Sequence, residues 1–216
     1  MKQKSVFLES EGNQWFRRNA EALRQRDLPG SDSVLLEILQ LRSTLPAEPT
    51  ILEVGCGDGS RLAWLRENIG AACSGVEPSA DAVATARSRG IDAVQGTADL
   101  LPFADASMDI AIFGFCLYLC DREDLARIAA EADRVLRSPG WLVLLDFYSP
   151  TPLQREYHHR SGLFSYKMDY RTLFTWNPAF TEYSHSVRHH ADGSITDDPQ
   201  QWIATSVLRK RPASLR

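Results

Sequence analysis

The sequence predicts an α/β protein built on a doubly wound, mostly parallel sheet with helices on both faces. Three observations predict it. Short apolar stretches alternate with helical stretches from Ile51 to Phe147, the pattern of parallel strands joined by crossover helices. A glycine turn, Gly55-Cys56-Gly57-Asp58-Gly59, joins the first apolar stretch to the first of those helices. The last stretch, Trp141 to Phe147, is apolar at nearly every position, as in a strand covered on both faces.

With 216 residues the chain can bury one domain and carry an appendage. A hydrophobic content of 44% and a charged content of 24% are those of a soluble globular protein. No apolar run approaches the ~20 residues of a membrane span. The first residues lack the apolar core of a signal peptide, so a cytoplasmic location is expected. Cys56, Cys73, Cys116 and Cys120 sit in or beside apolar segments without metal-ligand spacing; they read as buried free thiols, and no metal site is expected. Net charge is −4, with 15 Lys+Arg against 22 Asp+Glu up to Pro150 and 9 against 6 after it. No basic stripe suits a nucleic acid.

Residues 1–49 read as an N-terminal helical arm or lid. Its first helix carries Phe16, Ala20 and Leu23 at helical spacing. Its second begins near Ser31, a good N-cap, and repeats Leu35, Ile38, Leu41 and Leu45 before Pro46 and Pro49 stop it. Residues 50–216 form the main domain. Its first strand runs from Ile51, and the helix after the glycine turn buries Leu62, Leu65 and Ile69.

Glycines let a ligand approach the backbone, and the following helix points free N–H groups at the same place. A dinucleotide would ask for G-x-G-x-x-G; here Gly59 comes one residue early and Ser60 holds the expected position. The second strand, from Ala71, ends at Glu77, whose carboxylate can accept from both hydroxyls of a ribose. Ser79 caps the next helix. Ile91 to Gln95 is the third strand and leads into Gly96-Thr97-Ala98-Asp99-Leu100-Leu101-Pro102-Phe103. Ser107 to Phe113 is the fourth. Asp121 caps a helix with Leu125, Ile128, Ala132 and Val135 on its buried stripe, and Leu136 to Gly140 turns into the fifth strand.

Glu53-x-Gly55-x-Gly57-x-Gly59, Glu77-Pro78-Ser79, the Gly96 to Phe103 run and Met108-Asp109-Ile110-Ala111 together resemble the motifs of class I S-adenosylmethionine-dependent methyltransferases. The resemblance covers about Ile51 to Phe147. It implies a Rossmann-like, seven-stranded sheet ending in an antiparallel pair, for which Phe180–Val187 and Gln201–Lys210 are the candidates. It implies S-adenosyl-L-methionine as cofactor and S-adenosyl-L-homocysteine as product. The cofactor would lie on the turn at Glu53, Gly55, Cys56, Gly57 and Gly59, with its ribose at Glu77 beside Pro78. The adenine would meet Thr97, Ala98 and Asp99. In many relatives an acid stands where Thr97 does, so either the Thr97 hydroxyl or Asp99 takes the adenine contact. The Gly114 to Leu119 segment would lie over the methyl and sulfur, with Phe113 and Phe115 among the cofactor residues, and Tyr118 stands where many relatives carry a histidine.

For the acceptor, the Trp15 to Asn19 turn offers Trp15 and Arg18. Residues 149–178 form a long aromatic insertion, expected to be an acceptor lid through Tyr157, Tyr166 and Tyr170. His158 and His159 lie in it and are the candidate bases; His185, His189 and His190 read as structural. The expected function is methyl transfer to an oxygen or nitrogen of a small-molecule acceptor, without nucleic-acid or membrane partners. A non-catalytic methyltransferase-like binding module remains open, and so, against the glycine spacing, does an NAD-dependent oxidoreductase. The sequence sets no oligomeric state.

Overall fold

Strand alternation assigns the two faces of the sheet. In β1 (Thr50–Val54), Ile51 joins one buried cluster while Leu52 and Val54 join another. The same split recurs in the fourth strand, where Ile110 and Ile112 face one side and Ala111 and Phe113 the other. Phe113, expected at the cofactor, is therefore a core residue. Its ring is fully buried, 6.4 Å from that of Phe174.

The computed structural model describes residues 2–212; residue 1 and residues 213–216, at the ends of the two expected segments, lie outside the described residues. The main sheet has the order β3-β2-β1-β4-β5-β9-β8. β2 (Ala72–Glu77), β3 (Asp92–Gln95), β4 (Met108–Gly114) and β5 (Leu136–Phe147) run parallel with β1. β6 (Leu153–Glu156) and β7 (Phe164–Lys167) form a separate hairpin. β8 (Phe180–His189) and β9 (Trp202–Lys210) add the antiparallel pair, with β9 against β5. Strand order reverses at β1, between β2 and β4. A crevice opens there at the carboxyl ends of the strands.

Helices α1 (Gln3–Val6) and α2 (Gly12–Arg24) make the first part of the arm, joined by a π-helical turn over Phe7–Glu11. The arm's helical start thus lies well before Phe16. α3 (Ser33–Leu41), α4 (Ser60–Ile69) and α5 (Ala80–Ser88) cover the Ile51 face. α6 (Leu125–Val135) and the short α7 (Thr172–Thr175) cover the other.

Three local expectations change. Asp32, not Ser31, caps α3, because its carboxylate accepts from Leu35 N at 3.1 Å, while Ser31 N closes a turn onto Asp27 O. Residues 136–140 belong to β5, not to a turn; a register shift between Met108 and Ile110 keeps them in the ladder. Asp121 does not cap α6. Its carboxylate accepts from Gln3 N at 3.0 Å and Lys4 N at 3.1 Å, so it caps the first helix of the arm instead.

Candidate active site

The floor of the site is the row of strand ends at β1, β2 and β4. After Val54 the chain folds back so that Gly55 N and Cys56 N donate to Val76 O at 2.8 and 3.3 Å. A side chain at Gly55 would strike Cys116 Cβ at 2.7 Å. Gly57, with φ +54°, has nothing within 4 Å on that side and leaves the turn open to the cavity. Gly59 has a different task. A Cβ there would meet Ala86 Cβ at 2.9 Å, so this glycine lets α4 pack on α5 and lies outside the cavity wall.

Glu77 ties the turn to the end of β2. One carboxylate oxygen accepts from Gly57 N at 3.0 Å and the other from Ser79 N at 3.0 Å. Burial pushes its pKa up to about 7, against the lowering by those two N–H groups. Beyond β3, the Thr97 hydroxyl donates to Asp99 at 2.7 Å. Lys4, from the arm, pairs with Asp99 and lies 2.8 Å from Asp124.

Under the turn lies a buried ionic cluster. Arg61 pairs with Glu53 and, at 3.0 Å, with Asp32; Arg26 reaches Asp32 at 2.8 Å. Burial works against the Arg61 charge, but Glu53 and Asp32 outweigh it and hold the guanidinium charged. Gly114 makes room, since a Cβ there would come within 2.7 Å of Arg61 Nη1. Glu53 Oε2 is buried and has no partner among the described residues, and Glu53 lines the cavity. An unpaired buried carboxylate oxygen is costly unless a ligand donates to it.

The cavity above this floor holds about 490 Å³, room for a nucleoside-sized ligand and a small second one. Its roof is the N-terminal arm, through Lys4, Phe7, Trp15, Asn19, Leu23 and Arg26. The arm is fixed closely. A Cβ at Gly12 would meet Phe7 O at 2.7 Å and Ser79 N at 3.1 Å. Asn13 Oδ1 accepts from the Ser79 hydroxyl at 2.8 Å and from Asp81 N at 3.1 Å. Gln3 Nε2 donates to Leu119 O and Phe164 O.

At the β4 end the wall is apolar: Phe115, Cys116, Leu119 and Cys120, with His190 arriving from the β8–β9 connection. Phe115 stands at φ +51°, rare for a bulky residue, and its N–H donates to Leu145 O at 2.7 Å. Burial pushes the Cys120 thiol up to about 12 and the Cys116 thiol well up too, so neither supplies a thiolate. No group of three or more His, Cys, Asp or Glu side chains among the described residues is placed to hold a metal ion, and no described helix is long and apolar enough to cross a membrane.

Of the residues expected at the cofactor, Glu53, Gly55, Cys56, Gly57, Glu77, Pro78, Thr97, Ala98, Asp99 and Phe115 line this one cavity. Of those expected at the acceptor, only Trp15 does. Its indole N–H donates to the Tyr118 hydroxyl at 3.2 Å, which puts Tyr118 behind the wall. Arg18 pairs with Glu11 and donates to Tyr157 at 2.9 Å, on the far side of the arm. Tyr166 and Tyr170 lie at 4.0 and 5.8 Å from the Arg122 guanidinium, outside the wall. His158 and His159 are exposed in the β6–β7 turn and do not line the cavity. None of residues 149–178, expected as an acceptor lid, lines the cavity: Tyr157 and Leu163 pack against Val6 and Phe7, and the hairpin braces the arm from outside.

The sequence reading missed Lys4, Phe7, Arg26, Arg61 and His190 as wall residues. For Arg61 there was a signal. It lies four residues before Leu65, on the apolar face of α4, where an arginine needs buried acids. For the others the wall is set by long-range packing alone.

Residues 52–144 match the model of a family described as a methyltransferase domain. An uncharacterized methyltransferase of Bacillus subtilis, YcgJ, is 31% identical over 62% of this chain and 54% of its own length. A demethylmenaquinone methyltransferase of Chlorobaculum parvum is 34% identical over 46% of this chain and 41% of its own. The chain thus spans about half the length of the curated relatives it matches. Among solved structures, the 1,6-didemethyltoxoflavin-N1-methyltransferase of Burkholderia thailandensis, with bound 1,6-didemethyltoxoflavin and S-adenosylhomocysteine, superposes with a TM-score of 0.72 at 15% identity, over 96% of this chain and 88% of that one.

Proposed function

We propose that this chain, which belongs to the class I S-adenosylmethionine-dependent methyltransferases through residues 52–144, transfers a methyl group from S-adenosylmethionine to an oxygen or nitrogen of a small-molecule acceptor. One observation carries the reading. The Glu77 carboxylate, the open side of Gly57 and Glu53, whose Oε2 has no partner among the described residues, meet at a single cavity where strand order reverses. That set suits a ribose diol beside a cationic amino acid moiety.

Glu77 would hold the ribose hydroxyls, and Glu53 Oε2 would accept from the amino group of the methionine part. Thr97, Ala98 and Asp99 would border the adenine. When bound, the cofactor supplies a methyl group already activated on a sulfonium. What remains for the protein is to align the acceptor and exclude water, and the arm roofing the cavity serves both ends. Calorimetric titration with S-adenosylmethionine, S-adenosylhomocysteine and NAD tests the reading. Heat from the first two and none from NAD is the expected result; binding of NAD alone would overturn it.

A further inference from the structure

On the β4–β5 side the cavity has a titratable group that no described residue pairs with. His190 follows β8 directly, and its backbone N–H donates to Gln201 O at 2.8 Å, which anchors it beside the last rung of the β8–β9 ladder. The imidazole meets the Phe115 ring edge-on at 5.8 Å and 87°, and the Phe147 ring at 5.0 Å. Neither ring nitrogen has a hydrogen-bond partner among the described residues, and the side chain lines the cavity. Its neighbour differs: His189 Nδ1 accepts from Ala191 N at 3.1 Å and lies 3.2 Å from Asp192.

The titratable groups that act on His190 are Lys167 of β7, whose ammonium lies 5.3 Å from the Phe147 ring centre, and His189, the last residue of β8. Burial first, then these two, lower the His190 pKa, so the ring is neutral at neutral pH. Other candidates for proton acceptor at this end are spent. Asp146, behind the wall, accepts from Leu117 N, Tyr118 N and Phe147 N. Cys116 and Cys120 hold their protons.

The cavity's charges also bound the acceptor. Its cations, Lys4, Arg26 and Arg61, are each paired with an acid. None is left for an anionic acceptor. Phe115 stands beside His190, and Trp15 and Leu119 line the same cavity, so the wall offered to an acceptor is aromatic and apolar. Resting on the cofactor reading above, we propose that His190 takes the proton of the methyl acceptor, and that this acceptor is an uncharged planar molecule bearing a phenol-like hydroxyl. The acceptor oxygen bonds to the methyl carbon, the carbon–sulfur bond breaks with its electron pair staying on sulfur, and the hydroxyl proton passes to a free ring nitrogen of His190. The imidazolium then returns that proton to water. A phenolic hydroxyl, with a pKa of about 10, is within reach of an imidazole; an aliphatic alcohol is a far weaker acid.

The test uses the whole chain with isotope-labelled histidines, His190 being identified in the nuclear magnetic resonance spectrum by its contacts to the Phe115 and Phe147 rings. Its titration is followed with S-adenosylhomocysteine and with S-adenosylmethionine, which differ by one positive charge at the sulfur. The His190 midpoint should fall by about one pH unit more with the methyl donor, while the other four histidines do not distinguish the two ligands. Equal midpoints with both ligands bound overturn the role of His190 and leave the cofactor reading standing. Failure of both ligands to bind overturns the two together. For acceptor class, phenol and benzoate are titrated into the S-adenosylhomocysteine complex. Phenol should bind at least about tenfold tighter and tighten as pH rises through the His190 midpoint. His190→Gln should abolish that pH dependence with homocysteine-ligand affinity unchanged. Tighter binding of benzoate, or an unaltered pH dependence in His190→Gln, overturns the acceptor class. Should the variant not fold, the wild-type titrations decide alone.

Discussion

The floor and the roof of the cavity are built in opposite ways. The floor takes its groups from strand ends: Glu53 and Gly57 at β1, Glu77 at β2, Phe115 at β4. Each is fixed by a parallel ladder with both faces packed. The roof takes its groups from the arm and from a loop near the other end of the chain, Lys4 to Arg26 and His190. These are held by contacts between residues far apart in sequence, such as Asp121 capping Gln3 and Lys4. The difference teaches where each kind of error falls. Damage to the floor should remove the cofactor, whereas damage to the roof should alter exchange and the acceptor.

The sharpest break is Gly57→Asp. It puts a bulky anion beside Glu77 at a positive φ, and S-adenosylhomocysteine affinity measured by calorimetry should fall at least about 100-fold. Survival of that affinity would mean the floor is elsewhere. Next comes Phe113→Ala, which separates floor from core. It should cost about 3–5 kcal/mol in denaturant unfolding through the cavity it leaves beside Phe174, with cofactor affinity nearly unchanged in the folded protein.

A smaller effect sharpens the view of Glu77. Its pKa of about 7 in the folded chain lies above the ordinary 4.5, so the folded state binds the extra proton. The stability it contributes is present below about pH 4.5 and lost as pH rises through 7. In the absence of ligand, the Tm difference between wild type and Glu77→Gln should therefore shift toward the variant across that window. The smallest effect belongs to the exposed brace. His158→Ala and His159→Ala should leave ligand affinity and turnover within about twofold, as for other exposed positions. A large loss of turnover in either would restore the hairpin to the site.

The floor was legible because its chemistry is local in sequence. The glycines, the acid at the end of the second strand and the run after the third strand each occupy a strand terminus that alternation locates. Phe113 was misread because it lies short of the strand end: both faces of β4 are buried, Ile112 in one cluster and Phe113 in the other, and the cavity begins only at Gly114 and Phe115. Gly59 was misread because a glycine can be needed for helix packing as well as for a ligand. The roof was legible in part: residues 1–49 read as an arm or lid, but nothing in residues 149–178 says which face of the arm the hairpin meets. His190 likewise looks like its neighbour His189 until the β8–β9 ladder is seen to turn it toward Phe115.

Gly12 sits where one helical turn runs into the next, a position at which glycine lowers helix stability by roughly 0.5–1 kcal/mol relative to alanine. The standard remedy for such a weak point, Gly→Ala, is closed to this chain, because the added methyl would drive into Phe7 O and Ser79 N. Intrinsic helicity in the arm and closeness of its backbone to the Pro78–Ser79 turn are therefore opposed quantities. A thermostabilised version of this protein would have to gain its arm stability at positions other than residue 12.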